Sequence, residues 1–109
     1  MKSEFKVIAN LLKNNTRVLD VGCGDGDLMS FMEKEKNIEV RGLELDKDNV
    51  QQCIHKGLSV IQGNAENELH QFPNQSFDYV VLSQTLQAFY EPEKVMKELL
   101  RIGKSVVIS

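Results

Sequence analysis

Four short stretches of this sequence carry side chains suited to holding a nucleotide-like cofactor. The first is Gly22-Cys23-Gly24-Asp25-Gly26, placed directly after the apolar run Val18-Leu19-Asp20-Val21. Glycines at alternate positions let a backbone turn through conformations closed to residues with a Cβ, and leave room for a ligand against the main chain. A helix that follows such a turn points its free N–H groups and the positive end of its dipole back at the ligand. The spacing is G-x-G-x-G, whereas the dinucleotide fingerprint is G-x-G-x-x-G; Asp27 stands where the third dinucleotide glycine would fall. The second stretch ends in Glu44, 18 residues beyond Gly26, where an acid can accept hydrogen bonds from both hydroxyls of a ribose. The third holds Asn64, whose amide suits an adenine edge. The fourth is Ser83-Gln84, polar residues emerging from the apolar run FDYVVL. Four separate loops with compatible side chains are a stronger signal than any one alone.

Each candidate has a plainer alternative. Glu44 can be an ordinary strand-end carboxylate, and Asn64 an ordinary loop residue. Asp20 interrupts a buried strand and so needs hydrogen-bond donors, for which the glycine-loop amides are the expected source. Its contact with a ligand is open at this stage. Cys23 reads as a small residue suited to the turn rather than a nucleophile, because no histidine is near it in sequence and a reactive thiol depends on a positive microenvironment. Cys23 and Cys53 fall far apart, in a loop and a helix, without C-x-x-C spacing, as expected of free thiols in a reducing cytoplasm. His55 and His70 have no metal-ligand spacing and read as surface residues; no metal site and no Ser/His/Asp arrangement is expected. Phe89 and Tyr90, after the fourth strand, are expected to pack the core rather than roof a pocket.

The elements that must position these residues alternate. Ser3 to Lys13 has a helical stripe of Phe5, Ile8, Leu11 and Leu12. Arg17 to Val21 is a strand, and Asp27 to Lys36 a helix with Leu28, Phe31 and Met32 on one face. Glu39 to Leu45 is a strand, after which Asp46 caps a helix whose stripe is Val50, Cys53 and Ile54, ended by Gly57. Leu58 to Gln62 and Phe77 to Leu82 are strands, with a weak helix or turn over Glu68 to Phe72 between them. Ser83 to Tyr90 contains about one helical turn. Pro92 opens a helix at its preferred first position, Gly103 ends it, and Ser105 to Ile108 is a fifth strand. Alternating strands and helices predict parallel strands joined by right-handed crossovers. The expected architecture is α/β: a Rossmann-like, doubly wound parallel sheet of order 3-2-1-4-5. Its ligand crevice falls outside the carboxyl ends of strands 1 and 4.

Composition limits the partners. The chain has 109 residues, enough for one domain, and 41% of them are hydrophobic. Thirteen basic residues are scattered among 16 acidic ones, for a net charge of −3. That balance argues against a nucleic-acid backbone as ligand. The apolar runs are only four or five residues long, so neither a membrane span nor a signal peptide is expected.

At these residues the sequence resembles a known family. VLDVGCGDG resembles motif I of class I S-adenosylmethionine-dependent methyltransferases. The stretches RVLDVGCGDGDL, GLELDKDNVQQCIHKGLSVIQGN, FPNQSFDYVVLSQTLQAF and EPEKVMKELLRIGKSVVIS resemble the MetW family (methionine biosynthesis protein W), with FDYVVLSQTLQA the most specific of them. The resemblance implies that Gly22, Cys23 and Gly24 hold the methionine part of S-adenosylmethionine, with Asp20 supporting that loop. It implies that Glu44 takes the ribose hydroxyls and Leu45 lies against the adenine face. Asn64 and Ala65 would meet the adenine edge, and Ser83 would line the methionine end. The family usually has Asp where this chain has Asn64, which keeps a carbonyl acceptor but no charge. The fold it implies normally continues into two more strands, so residues 1–109 are expected to be a single C-terminally truncated domain. The strand at 105–108 would then be an open edge, prone to pair with a second copy.

Two functions follow from the resemblance. One is a methyltransferase, for which no residue is nominated as a catalytic base. The other is a non-catalytic, cofactor-sensing partner or regulator of homoserine O-acetyltransferase. A nicotinamide-dependent oxidoreductase is disfavoured by the glycine spacing.

Overall fold

A computed structural model describes residues 3–84 and 86–109. Helix α1 (Ser3–Asn10) ends three residues before the periodicity predicts. Leu11 and Leu12 donate their N–H groups to Ile8 and Ala9 three residues back, which tightens the chain out of the helix. The inward stripe is therefore Ile8, Ala9 and Leu12, and Leu11 is exposed. Strand β1 (Arg17–Val21) follows, then α2 (Asp27–Lys36), β2 (Glu39–Glu44), α3 (Lys47–His55) and β3 (Ser59–Gln62). Asp46 caps α3 through the N–H of Asn49 at 3.0 Å, and Gly57 leaves it at φ +76°. The stripe of α3 is Val50 and Cys53; Ile54, expected inside, is exposed.

The weak helix predicted over Glu68 to Phe72 starts earlier, as α4 (Ala65–Glu68), and runs into a 3₁₀ turn at Leu69–Gln71. Asn64 moves the start by accepting the N–H of Glu66 at 2.9 Å. Strand β4 (Phe77–Leu82) is followed by a 3₁₀ turn (Leu86–Ala88), α5 (Pro92–Ile102) and β5 (Gly103–Ile108). The expected turn over Ser83 to Tyr90 includes Thr85, which lies outside the described residues. Phe89 is buried in the core and Tyr90 is exposed, so only the first of the two packs as expected.

The five strands form one parallel sheet in the order β3-β2-β1-β4-β5, as the alternation predicts. Two cores lie on its opposite faces. One gathers Ile8 and Leu12 of α1, Leu28, Met29 and Met32 of α2, and Cys53 of α3. The other gathers Ala65 of α4, Val95, Leu99 and Ile102 of α5, and Phe89. Leu19 and Val21 of β1 face the second core, while Val18 faces the first. Strand alternation puts Asp20 on the face of Val18, under α1 and α2. Strand β5 pairs with β4 and stands at one margin of the sheet. No helix among the described residues is long and apolar enough to cross a membrane.

Candidate functional site

A cleft of about 440 Å³ opens beyond the carboxyl ends of β1 and β4, where the winding of the sheet reverses. Its floor is Asp20, Gly22, Cys23, Gly24 and Ser83, and α1 contributes Glu4, Phe5 and Ile8 as a wall. A larger hollow, of about 780 Å³, lies outside it among surface side chains of α2, Phe5 and Lys56. It collects no buried polar group, so chemistry rather than size assigns the site to the smaller cleft.

The glycine loop is clamped from the β2–α3 side. Gly22 and Cys23 donate their N–H groups to the carbonyl of Leu43, at 2.8 and 3.3 Å. The N–H of Gly24 donates to Glu44 Oε1 at 2.8 Å, and that of Asp46 to Glu44 Oε2 at 2.9 Å. Glu44 is therefore a two-handed brace between the loop and the start of α3. Two residues one turn apart on α3 and its cap hold the loop carbonyls: the thiol of Cys53 donates to Gly24 O at 3.3 Å, and Lys56 Nζ to Asp25 O at 2.8 Å. Lys56 also pairs with Asp27 at 2.7 Å, and that bond holds its ammonium above the usual lysine range. In Gly24, at φ +60°, a Cβ would meet no atom within 4 Å, whereas at Gly26 it would strike Leu58 and Cys53. Gly26 is thus required by the approach of α3, and Gly24 leaves its main chain open.

Asp20 has no exposed surface. Its Oδ1 accepts the hydroxyl of Ser83 at 2.6 Å, and its Oδ2 has no partner among the described residues. Ser83 is set in place by its own N–H, which donates to Val21 O at 2.9 Å. Burial pushes the Asp20 carboxyl up to about 7; the Ser83 hydrogen bond opposes the shift and the charge of Glu44 adds to it. The expected glycine-loop donors are thus not the ones found. The loop amides turn to Leu43 and Glu44 instead, and the partner of Asp20 comes from the end of β4.

The two cysteines, expected far apart, meet at 4.0 Å between sulfur atoms. The turn after β1 drops Cys23 onto the inner stripe of α3, which sequence separation does not reveal. Both are free and buried. Burial is the main cause pushing both thiols up, which suits a packing role rather than nucleophilic chemistry. His55 and His70 are exposed, and no cluster among the described residues could hold a metal ion.

The remaining predicted residues lie along the ends of β2 and β3. Leu45 is 64% exposed, a free apolar surface beside Glu44. Asn64 uses its side-chain oxygen to cap α4, so its NH₂ group is what it has left to offer a ligand. Ala65 is buried and its methyl packs in the core. Sequence reasoning missed the grip of Glu44 on Gly24, the α3 donors Cys53 and Lys56, and the wall supplied by α1. The i, i+3 spacing of Cys53 and Lys56 was a usable signal, once α3 is placed beside the loop.

The sheet order, the glycine turn after β1 and the acid ending β2 define a class I methyltransferase fold. A SAM-dependent methyltransferase from Archaeoglobus fulgidus has this fold, at a TM-score of 0.72 and 30% identity over 90% of this chain and 42% of its own. The family described as methionine biosynthesis protein MetW matches residues 2–109; the chain belongs to that family. A bifunctional methionine biosynthesis protein MetXA/MetW from Rhodopirellula baltica is 29% identical over 94% of this chain and 18% of its own length. A demethylmenaquinone methyltransferase from Listeria welshimeri is 32% identical over 85% of this chain and 42% of its own. The chain thus spans less than half the length of these curated relatives.

Proposed function

We propose that this cleft binds S-adenosylmethionine and that the protein is a methyltransferase-type, cofactor-binding component of methionine biosynthesis. The observation that carries the reading is Asp20, a fully buried residue of the cleft lining whose Oδ2 has no partner among the described residues. A ligand ammonium there would satisfy that oxygen and offset the burial of the charge. Glu44 supports the same reading. A carboxylate has about four lone-pair sites, so beyond its two backbone donors each oxygen can accept one of two ribose hydroxyls. Gly22, Cys23 and Gly24 would present main chain to the methionine portion, with Ser83 on its other side. Leu45 would cover the adenine face. Asn64 would donate its NH₂ to a ring nitrogen, and Ala65 would offer main chain only.

Bound S-adenosylmethionine supplies a methyl group activated by a sulfonium, open to in-line displacement. Holding donor and acceptor in line then provides much of the rate, and a dedicated base is needed only for some acceptors. The residues of this chain would orient the donor. A second reading, a sensor that assists homoserine O-acetyltransferase without transferring methyl, is favoured by the Rhodopirellula relative that joins MetXA and MetW in one chain.

Calorimetric titration with S-adenosylmethionine, its demethylated product and NAD tests the cofactor. Binding of NAD with neither of the others would overturn the reading. Labelled-methyl transfer to a cell extract separates enzyme from sensor, and co-purification with homoserine O-acetyltransferase supports the partner role. Self-association through the open 105–108 edge is proposed on the exposure of that strand. Sedimentation as a monomer at all concentrations would contradict it.

A further inference from the structure

We propose that Cys23 and Cys53 form a redox-sensitive pair: a disulfide between them draws the glycine loop toward α3 and weakens binding in the cleft. The effect on binding rests on the S-adenosylmethionine reading above; formation of the bond does not. The two sulfur atoms lie 4.0 Å apart, across 30 residues of chain. They belong to the chain's two cysteines, both free. Glycines make room for them. A Cβ at Gly42 would stand 2.6 Å from the Cys23 sulfur, and one at Gly26 would stand 3.0 Å from the Cys53 sulfur. Both thiols also reach one acceptor: Gly24 O lies 3.3 Å from the sulfur of Cys53 and 3.8 Å from that of Cys23. Cys23 lines the cleft, whereas Cys53 has no exposed surface. A reagent therefore enters at Cys23, and the bond closes at Cys53.

The co-reactant is a disulfide of low molecular weight, such as glutathione disulfide. The Cys23 thiol gives up its proton, its sulfur attacks one sulfur of the reagent, and the first glutathione leaves as a thiol. The Cys53 thiol then gives up its proton, its sulfur attacks that of Cys23, and the second glutathione leaves. The protein dithiol loses two electrons and two protons, and the reagent gains them. A disulfide holds its sulfur atoms about 2.05 Å apart, so the pair must close by about half its separation. Cys53 sits on α3 in the core, so the loop makes the larger move. The bond also consumes both thiol hydrogens, and Gly24 O loses its thiol donor. Gly24 is the residue whose N–H Glu44 holds, so the disturbance falls where the loop meets the proposed ribose acceptor. Burial, which pushes both thiols up, makes the exchange slow in both directions. The pair then records sustained oxidation rather than a brief pulse.

The test equilibrates the full chain in buffers of increasing glutathione disulfide to glutathione ratio. Intact mass, peptide mapping and calorimetry with S-adenosylmethionine follow, before and after reduction with dithiothreitol. Both thiols are expected to disappear together, in a monomer lighter by two hydrogen atoms with Cys23 and Cys53 peptides linked. The affinity should fall at least about threefold, as for one ordinary hydrogen bond, and return on reduction. Cys53→Ser should show no change in affinity across the same buffers, with melting curves to confirm its fold. Thiols that stay free at the most oxidising ratio, or that carry only separate glutathione adducts, would overturn the pair. A linked pair with unchanged affinity would overturn the switch, as would an oxidant effect that persists in Cys53→Ser. Reduced protein that binds no S-adenosylmethionine would remove the cofactor reading and the effect on binding with it, while peptide mapping still decides the bond.

Discussion

Glu44 and Asp20 both stand near the carboxyl ends of adjacent strands, yet their surroundings are opposite. Glu44 is half-buried and both its oxygens are taken by backbone N–H groups, from Gly24 and Asp46. Asp20 is fully buried and has one donor, Ser83, for two oxygens. The Glu44 carboxylate is thus fixed by the backbone before any ligand arrives, while Asp20 keeps a carboxyl that burial lifts to about 7. Preorganisation lowers the ordering cost of binding; an unsatisfied buried group raises what a matching ligand gains. The contrast shows that the donors around an acid, rather than its residue type, decide whether it braces the fold or is left with an unsatisfied oxygen.

The largest expected effect separates the two acids by pH. The native pKa of Asp20 lies above its ordinary value, so the native state holds the proton more tightly than the unfolded state does. Its penalty is absent below about pH 4 and grows as pH rises through about 7. Asp20→Asn should therefore melt close to wild type at pH 4 and above it at pH 8. The gap is of the order of several kcal/mol, since each tenfold change in proton affinity between the folded and unfolded states is worth about 1.4 kcal/mol, and is read by denaturant titration. Equal pH profiles would remove the claim that Asp20 is a buried, strained charge.

The same substitution should weaken S-adenosylmethionine by about 2–4 kcal/mol, the range for truncating a buried charge partner. A variant that gains stability and loses ligand marks the methionine end as held ready for function. Glu44→Ala should cost about 1–3 kcal/mol of cofactor affinity. Unlike Asp20→Asn it should also lower the melting temperature, because Gly24 and Asp46 lose their acceptors. An unchanged affinity would refute the ribose assignment. The smallest effect is expected for Lys56→Met. Its ion pairs with Asp25 and Asp27 are partly solvated, so at most about 1 kcal/mol of loop stability is at stake, visible as faster amide exchange at residues 24–27.

The fold was legible because period and punctuation agree along the chain. FDYVVL has strand character, Asp46 caps α3, Pro92 opens α5, and the alternation of elements dictates the sheet order. The glycine loop and Glu44 were legible as a pair for the same reason, since both fall at strand ends. What the sequence did not reveal depends on side chains meeting across long separations. The Ser83 hydroxyl that reaches Asp20 comes from 63 residues away. Cys53 and Cys23 meet across 30. Ile54 and Leu11 fit a helical stripe, yet each falls just beyond the face that the neighbouring elements cover. Periodicity gives the face of a helix, but packing decides how wide the buried stripe is.

The most direct measurement is the proton balance of cofactor binding, from calorimetry at pH 6.5 in buffers of different ionisation enthalpy. At that pH the ligand's α-amino group is already charged, and the Asp20 carboxyl, lifted by burial to about 7, holds part of its proton in the free protein. An ammonium docking on Asp20 must displace that proton. S-adenosylmethionine is predicted to release a measurable fraction of a proton per wild-type molecule, and Asp20→Asn to release none at the same pH. Tight binding with no proton release in wild type, or with the release unchanged in Asp20→Asn, would contradict the assignment of Asp20 as the cation's partner.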